Sequence, residues 1–486
     1  MTARLTLLLA GALVASGAPP RTLRLSPAGG PRALPGRLLG ASCEAFFEPL
    51  MGDARKIAAL KAMSLAWTRF PGGSQSNYYD WRRGLPVVAA APGSSFYVRY
   101  WAGLAGMIER TFPGGVSYEE YRRFSRAIGA EAVLVANLET STAAEQTEWF
   151  RRLVKAEAAP SRVELGNEFY IAMLGDPASL ERWPDCPTAL GKMKEYLAAL
   201  RPLLPRGAKA AVQAAPVPFD AGGAGGSPAA RRLRQWNESL RPEPWFDAVT
   251  VHLYPDLRQF PVAAGPAPLF AALMAHADEG VERTLADLAL RLPGKEIWIT
   301  EWNPRGADWR RNVPQPVTSA MLLHLAARMT LVFLRHPAVA MAQYFMLNLE
   351  NTAPFDAWER EGDGWKPYPA TAALGWFHEA ANGGATFERL VDARAPRLRA
   401  EGTEGESYAA VEAALFERAG RRTLIVQNAS PEARTLKLKG RPASVEALVA
   451  AHLADARKQA AQIVTLDPAR PIVLAPYSVT RIVTGR

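Results

Sequence analysis

Cysteine is scarce in this sequence: only Cys43 and Cys186 occur in 486 residues. Two cysteines so far apart cannot build the disulfide framework of a small secreted domain, and they leave open either one bridge or two buried thiols. No spacing of cysteine and histidine resembles a zinc site. No glycine-rich phosphate loop follows a predicted strand, which argues against a doubly wound nucleotide-binding fold.

Long hydrophobic runs are also lacking. The apolar run from Leu5 to Val14 is too short to span a bilayer, and no other stretch approaches that length. Arg4 precedes this run and the small residues Ser16 and Ala18 follow it, which predicts a signal peptide over residues 1–18. An uncleaved anchor is the alternative. We expect an exported protein, secreted or periplasmic, without stable membrane insertion.

Positive charge is present but not concentrated. The net charge is +10, and the arginines are scattered along the chain rather than gathered in one block. No basic run is interleaved with a recognisable nucleic-acid-binding motif, so we expect no nucleic acid partner. An arginine-rich background explains the charge, and an acidic substrate is the alternative explanation.

Short runs rich in Val, Ile and Leu alternate with segments of helical composition through the first four fifths of the chain. Such strands, buried on both faces, are typical of a parallel sheet. Eight strand–helix units are the number in a (β/α)₈ TIM barrel, which we place at residues 36–384. The predicted strands are 37–47, 64–70, 131–139, 161–167, 208–216, 246–254, 295–303 and 338–345.

From residue 385 the pattern changes to alternating polar and apolar residues with turn residues between the runs. This pattern is typical of antiparallel strands, and it predicts a C-terminal β-sandwich domain over residues 385–486. The segment 21–27, RTLRLSP, has the composition of a strand and is expected to join the edge of that sandwich.

Two glutamates follow predicted barrel strands at the ends where such barrels place catalytic groups. Glu168 follows the fourth strand in ELGNE, and Glu301 lies near the end of the seventh in WITEWN. Two carboxylates that flank one bond are what glycoside hydrolysis requires, and a separation of about 5–5.5 Å would give retention of configuration. The alternative is structural, with Asn167 capping a helix and Glu168 in its first turn.

The segment TRFPGGSQSNYYDW (68–81) resembles the second-strand motif of glycoside hydrolase family 51, the α-L-arabinofuranosidases. These belong to the clan of retaining (β/α)₈ glycosidases, in which heparanase-like and xylosidase-like families share several of the motifs. The resemblance covers most of the barrel and the trailing sandwich through short motifs. It departs at Ser74, where the family usually has asparagine, and in segment 350–369.

The resemblance implies a role for each matching residue. Glu301 matches the nucleophile and Glu168 the acid/base. The other matches lie beside the nucleophile or bind the sugar: Asn167, Glu44, Arg69, His252, Tyr254 and Gln343. Trp302 is a further candidate, as a ring that stacks on a sugar. An ion pair for Arg69, a core histidine for His252 and barrel packing for Tyr254 and Trp302 are the structural alternatives.

We therefore expect an exported retaining glycoside hydrolase that acts on an oligo- or polysaccharide, needs no cofactor and holds no metal. An arabinofuranoside-containing glycan is the substrate favoured by the second-strand motif. Two alternatives remain: a heparanase-like hydrolase of acidic, uronic acid polysaccharide, and a non-catalytic carbohydrate-binding barrel. The sequence does not determine the oligomeric state.

Overall fold

The computed structural model describes residues 20–46, 51–216, 228–255, 265–303, 317–347, 357–362, 364–400, 405–438, 440–450, 452–454 and 461–485. The predicted signal peptide lies outside these residues. Within them, no helix has both the length and the apolar character needed to cross a bilayer. Cys43 and Cys186 are both buried and are not joined to each other.

Eight parallel strands form the barrel, which confirms the predicted fold class. Their neighbours follow chain order around the sheet, and the first strand pairs with the last. Most positions in these strands are buried, as expected where helices cover the outside and side chains fill the inside. The strands are β1 (Leu39–Ser42), β2 (Trp67–Phe70), β3 (Glu131–Ala136), β4 (Arg162–Leu165), β5 (Lys209–Gln213), β6 (Ala248–Leu253), β7 (Glu296–Trp302) and β8 (Val339–Phe345).

The first and second strands approach closely at Gly40. A Cβ atom at this position would clash with the backbone carbonyl of Trp67, so the approach requires glycine. The backbone N–H of Ala66 donates to the carbonyl of Leu39 at 2.9 Å and helps to hold the two strands together.

Helices connect the strands, and several begin at residues that cap them well. Ser117 with Glu120, and Thr142 with Glu145, form capping boxes in which each side chain bonds the other residue's backbone N–H. The longer helices are α1 (Ala54–Ala62), α2 (Phe96–Thr111), α3 (Tyr118–Ala127), α4 (Ala143–Lys155), α5 (Cys186–Leu200), α6 (Pro228–Ser239), α7 (Pro266–Ala275), α8 (Glu282–Arg291), α9 (Ser319–Arg335) and α10 (Pro369–Ala381). A π-helical turn, His276–Val281, joins α7 to α8.

The described residues of the C-terminal part form two main sheets and a separate two-stranded one, in which Arg397–Arg399 pairs with Ser407–Ala409. The larger is antiparallel and contains β9 (Thr386–Val391), β10 (Val411–Arg418), β11 (Arg421–Asn428), β12 (Ser444–Ala450), β13 (Ala461–Thr465) and β14 (Ser478–Thr484). The smaller joins Arg434–Leu436 to Ile472–Leu474. The N-terminal segment contributes to both sheets: Arg21–Leu23 pairs with the smaller one, and Ser26–Pro27 pairs with β9. The domain boundary at 384/385 itself stays a prediction.

A buried ion-pair cluster connects the barrel helices to the C-terminal sheet. We call Asp278, Arg328, Arg335, Arg389 and Glu412 the interdomain cluster. The Nη1 atom of Arg328 lies 2.8 Å from Asp278 and 3.2 Å from Glu412. Arg335 contacts the same two carboxylates, and Arg389 Nε lies 2.8 Å from Glu412. Burial opposes ionisation of Asp278, but the two arginines outweigh it and hold the pKa of this carboxyl low.

Candidate active site

Glu301 lies at the end of β7 and is held by two donors. Arg69, on β2, donates from Nη1 to Oε1 at 2.5 Å, and the Tyr254 hydroxyl donates to Oε2 at 2.5 Å. Gly73 lies against the same carboxylate, where a Cβ atom would come 2.9 Å from Oε1. The carboxylate is therefore fixed in position, and the glycine leaves room beside it.

Glu168 lies just past β4 and faces Glu301. Its backbone adopts a left-handed conformation with φ 53°, which is uncommon outside glycine and often found at functional sites. The Tyr170 hydroxyl donates to Oε1 at 3.0 Å, and Nδ1 of His252 lies 2.8 Å from the same oxygen. Ligand-type atoms of Glu168, His252 and Glu301 all lie within 4.8 Å of one another. The two predicted carboxylates therefore converge.

Arg69 connects the carboxylates of two strands. Its Nε and Nη2 atoms donate to the two oxygens of Glu164 at 2.9 and 2.8 Å, while Nη1 reaches Glu301. Arg69 and Glu164 are fully buried. Burial disfavours the charged guanidinium, but Glu164 and Glu301 outweigh it and raise the pKa of Arg69. The arginine stays charged beside the nucleophile candidate.

Asn167 is held by its neighbours but keeps one donor unused. Its Oδ1 accepts from Arg69 Nη2 at 2.8 Å, and its backbone bonds the side chain of Asn77 through both N–H (3.1 Å) and C=O (2.8 Å). Its Nδ2 is buried and has no partner among the described residues. A buried donor without a partner is costly, so its presence points to a group that binds there.

His252 lies between the two glutamates. Its Nδ1 is 2.8 Å from Glu168 and 3.6 Å from Glu301, and its Nε2 is 3.2 Å from the Thr300 hydroxyl. Burial alone would lower the pKa of this imidazole. The negative charges of Glu301 and Glu168 outweigh burial, and the pKa of His252 is raised.

Glu44 lies next to the paired glycines and is almost fully buried. The Ser42 hydroxyl and the Gly73 backbone N–H donate to Oε1 at 2.8 and 3.2 Å, and Gln75 Nε2 donates to Oε2 at 2.5 Å. Burial and the charge of Glu301 raise the pKa of Glu44 to about 8, against the opposing effect of the Ser42 donor. The carboxyl is thus held in place by three donors beside the paired glycines.

Two predicted residues, Trp302 and Gln343, have other neighbours. Trp302 is 2% exposed, and its ring packs edge to face against Phe333 of α9 and Tyr344 of β8. Side chains alternate along a strand, so Trp302 points outwards where Glu301 points inwards. This placement is contrary to the expectation of a ring that stacks on sugar. Gln343 is fully buried, with Nε2 2.9 Å from Sδ of Met341.

Ser74, the position that departs from the family pattern, contacts a tyrosine. Its hydroxyl lies 2.5 Å from the hydroxyl of Tyr97 on α2. A serine here is shorter than the asparagine that the resembling family usually shows.

The donors around the carboxylates bear on whether a cation could bind. Arg69 and Tyr254 already occupy both oxygens of Glu301, and a guanidinium so close repels a positive ion. Glu168 likewise accepts from Tyr170 and faces His252. The cluster of Glu168, His252 and Glu301 therefore fits a set of hydrogen-bonded acids better than a set of metal ligands.

Sequence reasoning missed four residues of this site: Glu164, Tyr170, Thr300 and Gln75. Glu164 had a signal, since it is a lone acid between Val163 and Leu165 in a buried strand and needs a partner. Thr300 and Gln75 had none, because short polar side chains are common next to any strand. Their roles appear only when distant strands meet.

Comparison with known proteins establishes the fold. Residues 409–482 match the family described as the C-terminal immunoglobulin-like domain of D-apionate lactonase. No curated protein matches the chain. Three similar solved structures each align over at least 95% of both chains. A family 51 α-L-arabinofuranosidase from Bifidobacterium longum has 14% identity and a TM-score of 0.68, with 96% of this chain and 100% of that chain covered. The GH51 arabinofuranosidase from Xanthomonas axonopodis pv. citri has 18% identity and a TM-score of 0.66, with 95% and 98% covered, and a 4-O-α-L-rhamnosyl-β-D-glucuronidase from Fusarium oxysporum 12S has 13% identity and a TM-score of 0.55, with 95% and 99% covered.

The chain thus has the fold of the clan A (β/α)₈ glycoside hydrolases, a barrel followed by a β-sandwich. Within that class, the two family 51 arabinofuranosidases give higher TM-scores than the glucuronidase.

Proposed function

We propose that the protein is an exported retaining glycoside hydrolase, with Glu301 as the nucleophile and Glu168 as the acid/base. The observation that carries the proposal is the approach of these two carboxylates to within 4.8 Å at the ends of β4 and β7. Retaining glycosidases hold their two carboxyl groups about 5–5.5 Å apart, whereas inverting ones leave about 6.5–9.5 Å for a water molecule.

The surroundings of each carboxylate suit its role. Arg69 and Tyr254 hold and orient the carboxylate of Glu301, as a nucleophile requires. Glu168 instead faces the imidazole of His252, a group that exchanges protons near neutral pH. Glu301 attacks the anomeric carbon while Glu168 protonates the leaving oxygen. Glu168 then takes a proton from the water that releases the sugar.

Asn167 supports the same assignment. Its Nδ2 is the buried donor without a partner, directly beside the arginine that holds Glu301. A hydroxyl on the sugar carbon next to the anomeric centre would satisfy it. Such hydrogen bonds strengthen in the transition state of glycoside hydrolysis.

Arabinofuranoside-containing glycans are the proposed substrate, on the second-strand motif and the likeness to arabinofuranosidases. A uronic acid polysaccharide is the second candidate. The glucuronidase fold covers 95% of the chain, and the net charge of +10 favours an acidic substrate.

A screen of the purified protein on aryl glycosides and polysaccharides tests the proposal, with Glu301→Ala and Glu168→Ala in parallel. Glu301→Ala should lose nearly all activity, whereas Glu168→Ala should keep activity only on substrates whose leaving group needs no proton. Glu238→Ala, at an exposed helix position, is the control that should match the unmodified protein. Activity that survives Glu301→Ala would overturn the assignment.

A further inference from the structure

A chain of buried hydrogen-bonding contacts connects Glu301 to Glu168 through Arg69, Glu164, Thr300 and His252. Arg69 Nη1 donates to Glu301, and its Nη2 donates to Glu164 Oε2 at 2.8 Å. The Thr300 hydroxyl is 3.4 Å from the same Glu164 oxygen and 3.2 Å from Nε2 of His252. His252 Nδ1 then reaches Glu168 at 2.8 Å.

The chemistry of these groups favours one direction for each bond. Arg69 can only donate, and a carboxylate that a guanidinium binds through both oxygens can only accept. The Thr300 hydroxyl has one hydrogen, and the charged Glu164 is a stronger acceptor for it than a neutral imidazole nitrogen. With this hydrogen directed at Glu164, the Thr300 oxygen accepts from an Nε2–H of His252.

That direction determines how many protons lie between His252 and Glu168. A neutral imidazole with hydrogen on Nε2 has a bare Nδ1, which can only accept. Its 2.8 Å contact with Glu168 then requires a proton on the carboxyl, or else a charged imidazole facing a carboxylate. Both arrangements hold one proton.

We propose that Thr300 and Glu164 are positioning residues that hold His252 in the Nε2–H tautomer, so that Nδ1 and Glu168 share a single proton. The inference rests on the proposed function and extends it: the acid/base is a Glu168–His252 pair. Thr300 and Glu164 also link the state of that pair to Arg69, which faces the nucleophile.

The shared proton accounts for both steps. In the first, Glu301 forms a bond to the anomeric carbon, the glycosidic bond breaks, and the pair gives its proton to the leaving oxygen. In the second, water bonds to the anomeric carbon, the pair regains a proton from that water, and Glu301 leaves as a carboxylate. The charged and titratable groups that face His252 are Glu168 and Glu301, with Arg69, Glu164 and Tyr254 next to them.

Thr300→Val tests the proposal, because valine keeps the shape and removes the hydroxyl, and Thr300→Ser is the matched control that keeps it. The first readout is ¹⁵N NMR of the histidine rings in the full chain, which holds only six histidines. The His252 signal is assigned by its loss in His252→Asn. We expect Nε2–H in the unmodified protein and Thr300→Ser, and a mixed or Nδ1–H form in Thr300→Val.

The second readout is the leaving-group dependence of kcat on aryl glycosides. Thr300→Val should lower kcat by about tenfold or more for poor leaving groups, which need a proton, and little for activated ones. Glu164→Gln should change the tautomer in the same sense, and it provides an independent test if Thr300→Val does not fold.

An Nδ1–H tautomer in the unmodified protein would overturn the proposal. An identical tautomer and leaving-group dependence in Thr300→Val and Thr300→Ser would do the same. The NMR readout needs no turnover, so it separates failure of this inference from failure of the proposed function. A protein without glycosidase activity would still show whether Thr300 sets the ring.

Discussion

Two buried clusters of arginine and carboxylate in this molecule differ in the ratio of acids to bases. In the interdomain cluster, Arg328, Arg335 and Arg389 meet the two carboxylates of Asp278 and Glu412, and Glu282 adds a third acid 3.3 Å from Arg335. Acids and bases are matched there.

In the active-site cluster, acids outnumber the cation among the described residues. Among the described residues Arg69 contacts both Glu164 and Glu301, Glu168 lies near Glu301, and the charge of Glu301 helps to raise the pKa of Glu44. A cluster with equal numbers of acids and bases stabilises the fold as long as no member is removed. In a cluster with more buried acids than bases, the acids repel one another's charge, which favours the binding of protons. We expect this difference between a cluster that joins two parts of the fold and a candidate active site.

Two buried histidines, one beside each cluster, have pKa values shifted in opposite directions. His252 lies beside carboxylates, and its pKa is raised. His324, on α9 beside Arg328, lies 3.1 Å from Gln427 of the C-terminal sheet. Burial, helped by the positive charge of Arg328, lowers the pKa of His324 to about 4.

The largest expected effect is on turnover. Glu301→Gln should reduce kcat by about 10⁴-fold or more, because the amide cannot form the glycosyl bond. The melting temperature should not fall, since the substitution removes one acid from a cluster that has too many. Activity assays and thermal melts of the same preparation measure both. A marked loss of stability would mean that the active-site cluster is structural after all.

The same substitution in the interdomain cluster should act the other way. Glu412→Gln removes one of the two carboxylates that Arg328 and Arg335 share and leaves Asp278 as the other, which should lower the free energy of unfolding by about 3–5 kcal/mol. Urea denaturation measures the loss, while kcat at low temperature should be nearly unchanged. A large fall in kcat for Glu412→Gln would mean that the interdomain cluster also affects catalysis, which would contradict the comparison.

His324 should contribute to the pH dependence of stability together with His276 and His378, because burial lowers the pKa of each of the three to about 4. Because the pKa of about 4 that His324 has in the folded protein lies below that of the unfolded chain, the unfolded state binds more protons between these values. Stability is therefore complete above about pH 6.5 and falls towards pH 4, by up to about 3 kcal/mol for this group. His324→Gln, which keeps an acceptor for Gln427, should make that decline shallower in melts from pH 7 to 4 by the share that His324 contributes.

His252 provides the opposite control for this measurement. Its raised pKa means that its contribution to stability is present at low pH and is lost as pH rises through that pKa. His252→Asn should therefore not reduce the acid decline. A flattened acid limb in His252→Asn but not in His324→Gln would contradict the comparison.

The smallest effect is expected at an exposed pair. Arg422 Nε and Glu417 Oε2 lie 2.9 Å apart, with side chains 61% and 47% exposed. Water screens such a pair, so Glu417→Gln should change the free energy of unfolding by less than about 0.5 kcal/mol. The same chemical change at Glu412 and Glu417 thus isolates the effect of burial. If Glu417→Gln and Glu412→Gln lowered the free energy of unfolding equally, burial would not explain the loss at Glu412.

The sequence by itself determined the eight barrel strands and the two glutamates at their ends. Runs such as EAVLVA and EIWIT are local patterns, and the burial of such runs in a parallel sheet follows from their composition. Glu168 and Glu301 could be predicted because the end of a strand is visible in the sequence, and barrels of this class use that end.

Only the tertiary structure decided which groups meet. Glu164 lies 95 positions from Arg69, and His252 lies 84 positions from Glu168, so no local pattern relates them. Thr300 and Glu301 are adjacent but both reach His252, at a point where the pairing of β7 with its neighbours is irregular. The matching of Arg328 with Glu412 depends on how the sheet packs on α9. Hydrophobic periodicity encodes which face of an element is buried, whereas hydrogen bonds between distant strands depend on register and packing.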